Sequence, residues 1–296
     1  MDRSRSFDLV AAALLAAGLA AALGPLYLAL TTASHSADVL ARHRVPLLPG
    51  PDLAANLRAA WMQAGLGHKL CNSLAVCILV TVAKLVLASI TAFALVFFRS
   101  PLRGIGFAVI FATLLLPLEM RIAPTYALAA DPLSPVRAVA HLFDARLQLH
   151  WTLLDSTLGL SLPLVATATG TFLFRQVFLT LPEELVDAAK ADGAGPLRFF
   201  IDIALPLSRT NLAALAIVIF ISAWNQYLWP LLITTRPEMQ TAVLAIGGLL
   251  PDPQDPAPAW NVVLAGVLIV ILPPLVIAAL FQRGFVEGLA ATVRRR

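Results

Sequence analysis

The side chains in this 296-residue chain that could do chemistry sit in apolar surroundings. Lys84 is flanked by Val82, Ala83, Leu85 and Val86. A lysine there must face a bundle interior or an aqueous path, or reach out along its own stem, because charge in hydrocarbon is costly. Glu119 and Arg121 lie between Pro117 and Pro124 in LLLPLEMRIAPTY. Two residues apart on a regular helix, they point about 200° apart and do not pair with each other. Trp224-Asn225-Gln226-Tyr227 sits within another apolar run. Its rings could cover the C–H faces of a polyol while the amides pair with hydroxyls. The plainer roles for these residues are interhelical hydrogen bonds for the amides and interface anchoring for the rings. Lys84, Glu119, Arg121, Trp224, Asn225, Gln226 and Tyr227 are thus the candidate lining of a substrate path.

Other chemistries find little support. The histidines at 35, 43, 68, 141 and 150 do not cluster. Cys71 and Cys77, the two cysteines of the chain, are six apart in an apolar run, the pattern of small helix residues rather than metal ligands. No catalytic residue, metal or bound cofactor is expected.

The elements that must hold these residues follow from composition. The chain is 59% hydrophobic and 13% charged, against about 25% charged in soluble domains. So much apolar surface calls for lipid as the solvent. The net charge of +4 comes from residues scattered between apolar runs, which argues against a nucleic-acid face. Six runs are long enough to cross a bilayer: 9–31, 70–98, 105–127, 153–179, 211–233 and 260–282. The first is too long for a signal-peptide core and is read as a retained span. With the N-terminus inside, the segments 1–8, 99–104, 175–210 and 282–296 hold 12 Lys and Arg in 65 residues. The opposite segments, 32–69, 121–152 and 234–259, hold 8 in 96. The excess of positive charge predicts that both termini are cytoplasmic. Outside, 32–69 reads as a long polar loop, 131–150 as an insert carrying a short amphipathic helix after Pro135, and 251–259 as a Pro-rich turn.

Residues 187–206, DAAKADGAGPLRFFIDIALP, are a polar exception between two such runs. Leu181-Pro182-Glu183-Glu184 starts a helix, with carboxylates at the positive dipole end. Asp192-Gly193 stops it, since glycine accepts the left-handed conformation of a helix exit. Pro196 starts a second helix that ends near Pro206. The small Ala188 and Ala189 would allow close approach to a partner groove, and Glu184 and Asp187 could meet arginine there. A hairpin that packs only on its own chain is the alternative.

This loop resembles the signature of inner-membrane permeases in binding-protein-dependent ABC importers: Glu-Ala-Ala, three residues, Gly, and a hydrophobic tail ending in Leu-Pro. Here it reads Asp187-Ala188-Ala189-Lys190-Ala191-Asp192-Gly193, closed by Ile203-Ala204-Leu205-Pro206. Asp187 replaces the usual Glu, so charge is kept and reach is shorter by about one methylene. Gly24-Pro25-Leu26-Tyr27, Asn72-Ser73-Leu74 and Leu116-Pro117-Leu118-Glu119 resemble the carbohydrate-uptake branch. FLFRQVFLTLPEELVDAAKADGA, PLSRTNLAAL and WNQYLWPLLIT resemble its glycerol-3-phosphate permeases.

The resemblance implies an all-α polytopic fold of six transmembrane helices, the type I importer transmembrane domain. It covers 1–296 as one permease domain, with core spans in 70–282, a coupling loop at 180–210 and a periplasmic insert at 131–150. Glu184, Asp187, Ala188, Ala189, Asp192 and Gly193 would contact the ATPase. The implied partners are a second homologous permease, two ATPase subunits and a periplasmic substrate-binding protein, in the bacterial inner membrane. None of the three lysines is followed by Ser or Thr, so the chain lacks a phosphate-binding loop. ATP and Mg²⁺ would be used by the separate ATPase. The implied cargo is sn-glycerol-3-phosphate or a related glycerophosphodiester, with another sugar or polyol as the alternative. An ion-coupled secondary transporter would need no ATPase and leaves the loop unexplained. An intramembrane enzyme lacks its catalytic constellation.

Overall fold

The structure is a computed structural model that describes residues 2–42, 46–113, 115, 118–141, 143, 150–165, 168–252, 254 and 258–293. Among them every regular element is helical. The apolar runs account for this: a helix satisfies its backbone internally, the one arrangement besides a closed barrel that hydrocarbon permits. Three helices are long and apolar enough to cross a membrane singly. They are α1 (Asp2–Ala33), α4 (Leu66–Phe97) and α16 (Trp260–Val293).

The remaining apolar runs are interrupted. The run 105–127 becomes α5 (Arg103–Ala112) and α6 (Leu118–Ala130). Pro124 lies inside α6, so the interruption precedes Leu118 and does not fall at this proline. The run 153–179 becomes α8 (Thr157–Val165) and α9 (Ala168–Phe178), bent by 47°. The segment 32–69, expected to be a polar loop, carries α2 (Ala37–Arg42) and α3 (Leu53–Gln63). Alanine-rich LAANLRAAWMQ has the helix propensity that its flanking prolines obscured. In the insert, α7 (Ser134–His141) confirms a short helix after Pro135, with Val136 and Val139 exposed. Leu142 and Leu147, which helical spacing would add to the same face, lie outside the described residues.

The chain divides into two compact units. The first holds Met1–Leu70 and Ala242–Pro273, including α15 (Ala242–Gly247). Its core packs Ala33, Ala60, Val262 and Ala265 against Leu53, Leu57, Leu249 and Leu268. Beside it, the Asn261 amide donates to Asn56 Oδ1 at 2.9 Å. Asn56 Nδ2 in turn donates to the carbonyls of Ala33 and His35, each at 2.8 Å. A buried amide needs such partners, because an unmade hydrogen bond there costs about 1–3 kcal/mol.

The second unit holds Cys71–Thr241 and Pro274–Arg296. Besides α5 to α9 it contains α10 (Glu183–Ala191), α11 (Pro196–Phe199), α12 (Leu205–Leu207), α13 (Arg209–Trp224) and α14 (Leu228–Ile233). A π-turn, Phe200–Ala204, joins α11 to α12. The Pro206 ring would crowd the Asp202 carbonyl in a regular α-turn, and the wider turn relieves this. At Ser208 the chain bends by 76° into α13, with the buried Ser208 hydroxyl donating back to the Ala204 carbonyl at 2.8 Å.

Candidate functional site

The predicted polar hairpin forms. Pro182 sits just before α10, and Glu183 and Glu184 occupy its first turn, where the exposed N–H groups favour negative charge. At the other end Gly193 takes φ = +72°. Its N–H donates to the Lys190 carbonyl at 3.0 Å, and the Ala194 N–H donates to the Ala189 carbonyl at 2.8 Å. This pair of bonds satisfies carbonyls that the helix end would otherwise leave open. A Cβ on Gly193 would meet nothing within 4 Å, so glycine serves the backbone angle there and not the space.

The two alanines part company. Ala188 is exposed, whereas Ala189 is 5% exposed and turned toward its own chain. Both had been expected to form a small face toward a partner; in the structure Ala188 alone is exposed. Glu184, Asp187 and Asp192 are also exposed. Asp187 accepts from Lys190 Nζ at 3.2 Å across one helical turn. The sequence reading missed an apolar pair on the other arm. Leu197 and Ile201 stand 70% and 53% exposed, four residues apart, while Phe199 and Phe200 between them are buried. Helical spacing carried that signal, since i and i+4 share a face.

Phe199 and Phe200 anchor the hairpin. Phe93, near the end of α4, has its ring centroid 4.9 Å from Phe200, 6.1 Å from Phe199 and 6.2 Å from Phe178 of α9. Phe97 lies 5.2 Å from Phe199 and 6.0 Å from Phe178. These separations are those of mutually attractive aromatic pairs. A cavity of about 150 Å³ remains between these rings and α10, lined on the α10 side by Val186, Ala189 and Lys190.

The candidate path residues are placed separately. Lys84 is half-buried on α4, its stem beside α9: a Cβ on Gly170 would stand 3.7 Å from Lys84 Cγ and 2.9 Å from Ala88 Cβ. Arg121 is half-buried on α6, and its Nε is buried with no hydrogen-bond partner among the described residues. Glu119 lies on α6 with its side chain outside the described residues. Trp224 ends α13, buried, its ring 5.9 Å from Phe220. Asn225 to Tyr227 form the break between α13 and α14. Asn225 and Tyr227 are exposed there, and Gln226 Nε2 donates to the Ser222 carbonyl at 3.3 Å. The four residues were expected to act together; the break turns Trp224 into packing and leaves Asn225 and Tyr227 open.

A further junction was illegible in the sequence. Asp155 has φ = +51°, and its carboxylate accepts the Thr235 N–H at 2.6 Å, the Arg236 N–H at 2.9 Å and the Thr235 hydroxyl. The Thr235 hydroxyl above all, then the Arg236 amide, hold the carboxyl below its usual range. Nearby, the buried Trp229 indole donates to the Gly159 carbonyl at 3.1 Å. Asn72 Nδ2 donates to the Glu238 and Gln240 carbonyls at 2.5 and 3.2 Å.

Comparison with known proteins identifies the family. Residues 84–286 match the family described as binding-protein-dependent transport system inner membrane component. The chain is 42% identical over 295 residues to the sn-glycerol-3-phosphate transport system permease protein UgpE of Pectobacterium atrosepticum, covering 98% of each. It is 43% identical over 296 residues to the UgpE proteins of Yersinia pestis bv. Antiqua and Salmonella choleraesuis, again covering 98% of each. In fold it resembles a bacterial ABC transporter involved in the import of the acidic polysaccharide alginate. There the TM-score is 0.77 at 20% identity, over 96% of this chain and 98% of that one. The chain therefore belongs to the binding-protein-dependent transport system inner membrane components, as an inner-membrane permease subunit of an ABC importer and not an enzyme.

Proposed function

We propose that the chain forms half of a translocation pathway for sn-glycerol-3-phosphate or a related glycerophosphodiester. The other half is a second, homologous permease; two ATPase subunits drive the pair with ATP and Mg²⁺, and a periplasmic binding protein delivers the cargo. The full-length similarity to sn-glycerol-3-phosphate permeases is the observation that carries the cargo. Another sugar or polyol is the alternative.

In this reading the six spans are α1, α4, α5 with α6, α8 with α9, α13 with α14, and α16, in a single permease domain with both termini cytoplasmic. The hairpin of α10 and α11 is the cytoplasmic coupling loop. Glu184, Asp187, Ala188, Asp192, Leu197 and Ile201 meet the ATPase, and Gly193 sets the turn. Ala189 contributes from behind, by seating α10 on its own chain. Exposed apolar side chains such as Leu197 in an aqueous loop support a docking surface, where such residues act as anchors. ATP-driven closure of the ATPase dimer displaces the loop and turns the spans as rigid bodies.

On the path, Arg121 supports an anionic cargo, since a guanidinium whose buried Nε has no partner among the described residues suits phosphate oxygens. Lys84 adds charge from α4. Glu119 is placed on the same helix as Arg121, and Asn225, Gln226 and Tyr227, with Trp224 behind them, offer hydroxyl contacts at the helix break.

The test is reconstitution of the four kinds of subunit in vesicles with labelled sn-glycerol-3-phosphate. Uptake should require ATP and the binding protein, and Gly193→Trp should abolish it while membrane insertion persists. Uptake that collapses with an uncoupler at constant ATP would instead mark an ion-coupled carrier. Uptake of a sugar or polyol in place of the phosphate ester would change the cargo alone.

A further inference from the structure

The coupling loop makes its ring contacts with its own chain through one arm. Its second arm is in ring contact with α4, where Phe93 touches both Phe199 and Phe200, and Phe93 in turn touches Phe178 of α9. Phe93, Phe178, Phe199 and Phe200 are all buried. The first arm, α10, faces the same rings across a cavity. A void transmits displacement poorly, since the atoms lining it lack partners on one side. Direct ring contact in a close-packed interior transmits it well.

What the rings hold is a helix pair that is closed a second time further along. Phe93 and Phe178 meet at one end of the α4–α9 crossing. Gly170 meets Ala88 and the Lys84 stem further along. Lys84 lies nine residues before Phe93 on an unbroken helix, about 13 Å away along its axis. Two contacts separated in this way resist both sliding and splaying. The route onward through α13 is softer, because the π-turn and the 76° bend at Ser208 intervene.

We infer that Phe93 is the positioning residue that makes α4 and α9, and with them Lys84, follow the coupling loop. The inference rests on the coupling reading given above. Phe93 touches neither cargo nor ATPase in this scheme; it acts through Phe200 on the loop side and Phe178 on the helix side. Phe97 reinforces it from the next turn of α4.

The labelling readout needs no knowledge of the cargo. Cys71 and Cys77 are replaced by Ser, and Lys84 by Cys, in the full permease–ATPase complex in vesicles. Labelling of the new cysteine by a water-soluble maleimide is measured without nucleotide and after trapping with ATP and vanadate. With Phe93 present, ATP should change the labelling rate. Phe93→Ala should shrink that change at least about fivefold, a coupling of ordinary size, while the ATPase still assembles and hydrolyses ATP. Phe93→Leu, which keeps apolar bulk, should restore most of it. Phe200→Ala, which removes a ring from the loop side, should repeat the loss. An assembled F93A or F200A complex with a full response overturns the inference. So does failure of both to assemble while F93L behaves as wild type, since the cluster is then a folding element only. If labelling ignores ATP even with Phe93 present, and Gly193→Trp also transports normally, the coupling reading itself falls. If G193W is inactive and labelling still ignores ATP, only the link to Lys84 fails.

Discussion

Gly170 of α9 and Ala88 of α4 approach so closely that a Cβ on the glycine would stand 2.9 Å from the alanine's own Cβ. Real methyl carbons do not come that near, so the helix pair depends on a missing side chain. Small residues at a crossing let two membrane helices gain van der Waals contact where lipid offers no hydrophobic drive.

Gly170→Val should therefore force the pair apart and destabilise the protein by about 1–3 kcal/mol, the range for overpacked sites. Ala88→Gly in the same chain should recover part of this. Thermal unfolding in detergent, read as a double-mutant cycle, checks it. Additive effects of the two changes would contradict the crossing.

Gly193 and Gly159 should respond to substitution for different reasons and to different degrees. Gly193 has free space and a left-handed backbone, so Asn should be tolerated well and Ala should cost about 1–2 kcal/mol in the turn. At Gly159 a Cβ would collide with the Leu153 carbonyl oxygen, so Gly159→Ala should lose most folded protein. Yield of monodisperse protein after extraction distinguishes the two.

Asp187 is held by an exposed partner, Lys190, and exposed pairs contribute about 0–1 kcal/mol. Lys190→Ala should leave thermal stability nearly unchanged. Asp187→Glu, with one more methylene, should keep ATPase binding, and Asp187→Ala should weaken it. Co-purification of the ATPase with each variant is the measurement.

Asp155 should make stability fall in acid. Its carboxyl is held below the usual range in the folded chain, chiefly by the Thr235 hydroxyl. The folded state therefore binds the proton more weakly than the unfolded one. The stabilisation is full above the ordinary carboxylate value of about 4 and is lost as pH falls through the folded value. Thr235→Val or Asp155→Asn should flatten the acid limb of Tm against pH, and an unchanged limb would contradict the assignment. Asn should be the milder change at 155 compared with Ala, since it tolerates the positive φ.

Much was decided by the sequence alone. Its apolar runs demand lipid. The capped polar hairpin was also legible, because helix starts, stops and faces are set by residues within four or five positions of one another. The tertiary structure decided the rest. It turned Ala189 inward and left Ala188 outward, and it separated Trp224 from Asn225 at a helix break. It joined Asp155 to Thr235 across 80 residues, and Phe93 to Phe178 and Phe200. A phenylalanine in an apolar run satisfies lipid and protein equally, so its local pattern does not say which it meets. Only the packing of α4 against α9 and the hairpin made Phe93 a contact between the loop and the spans.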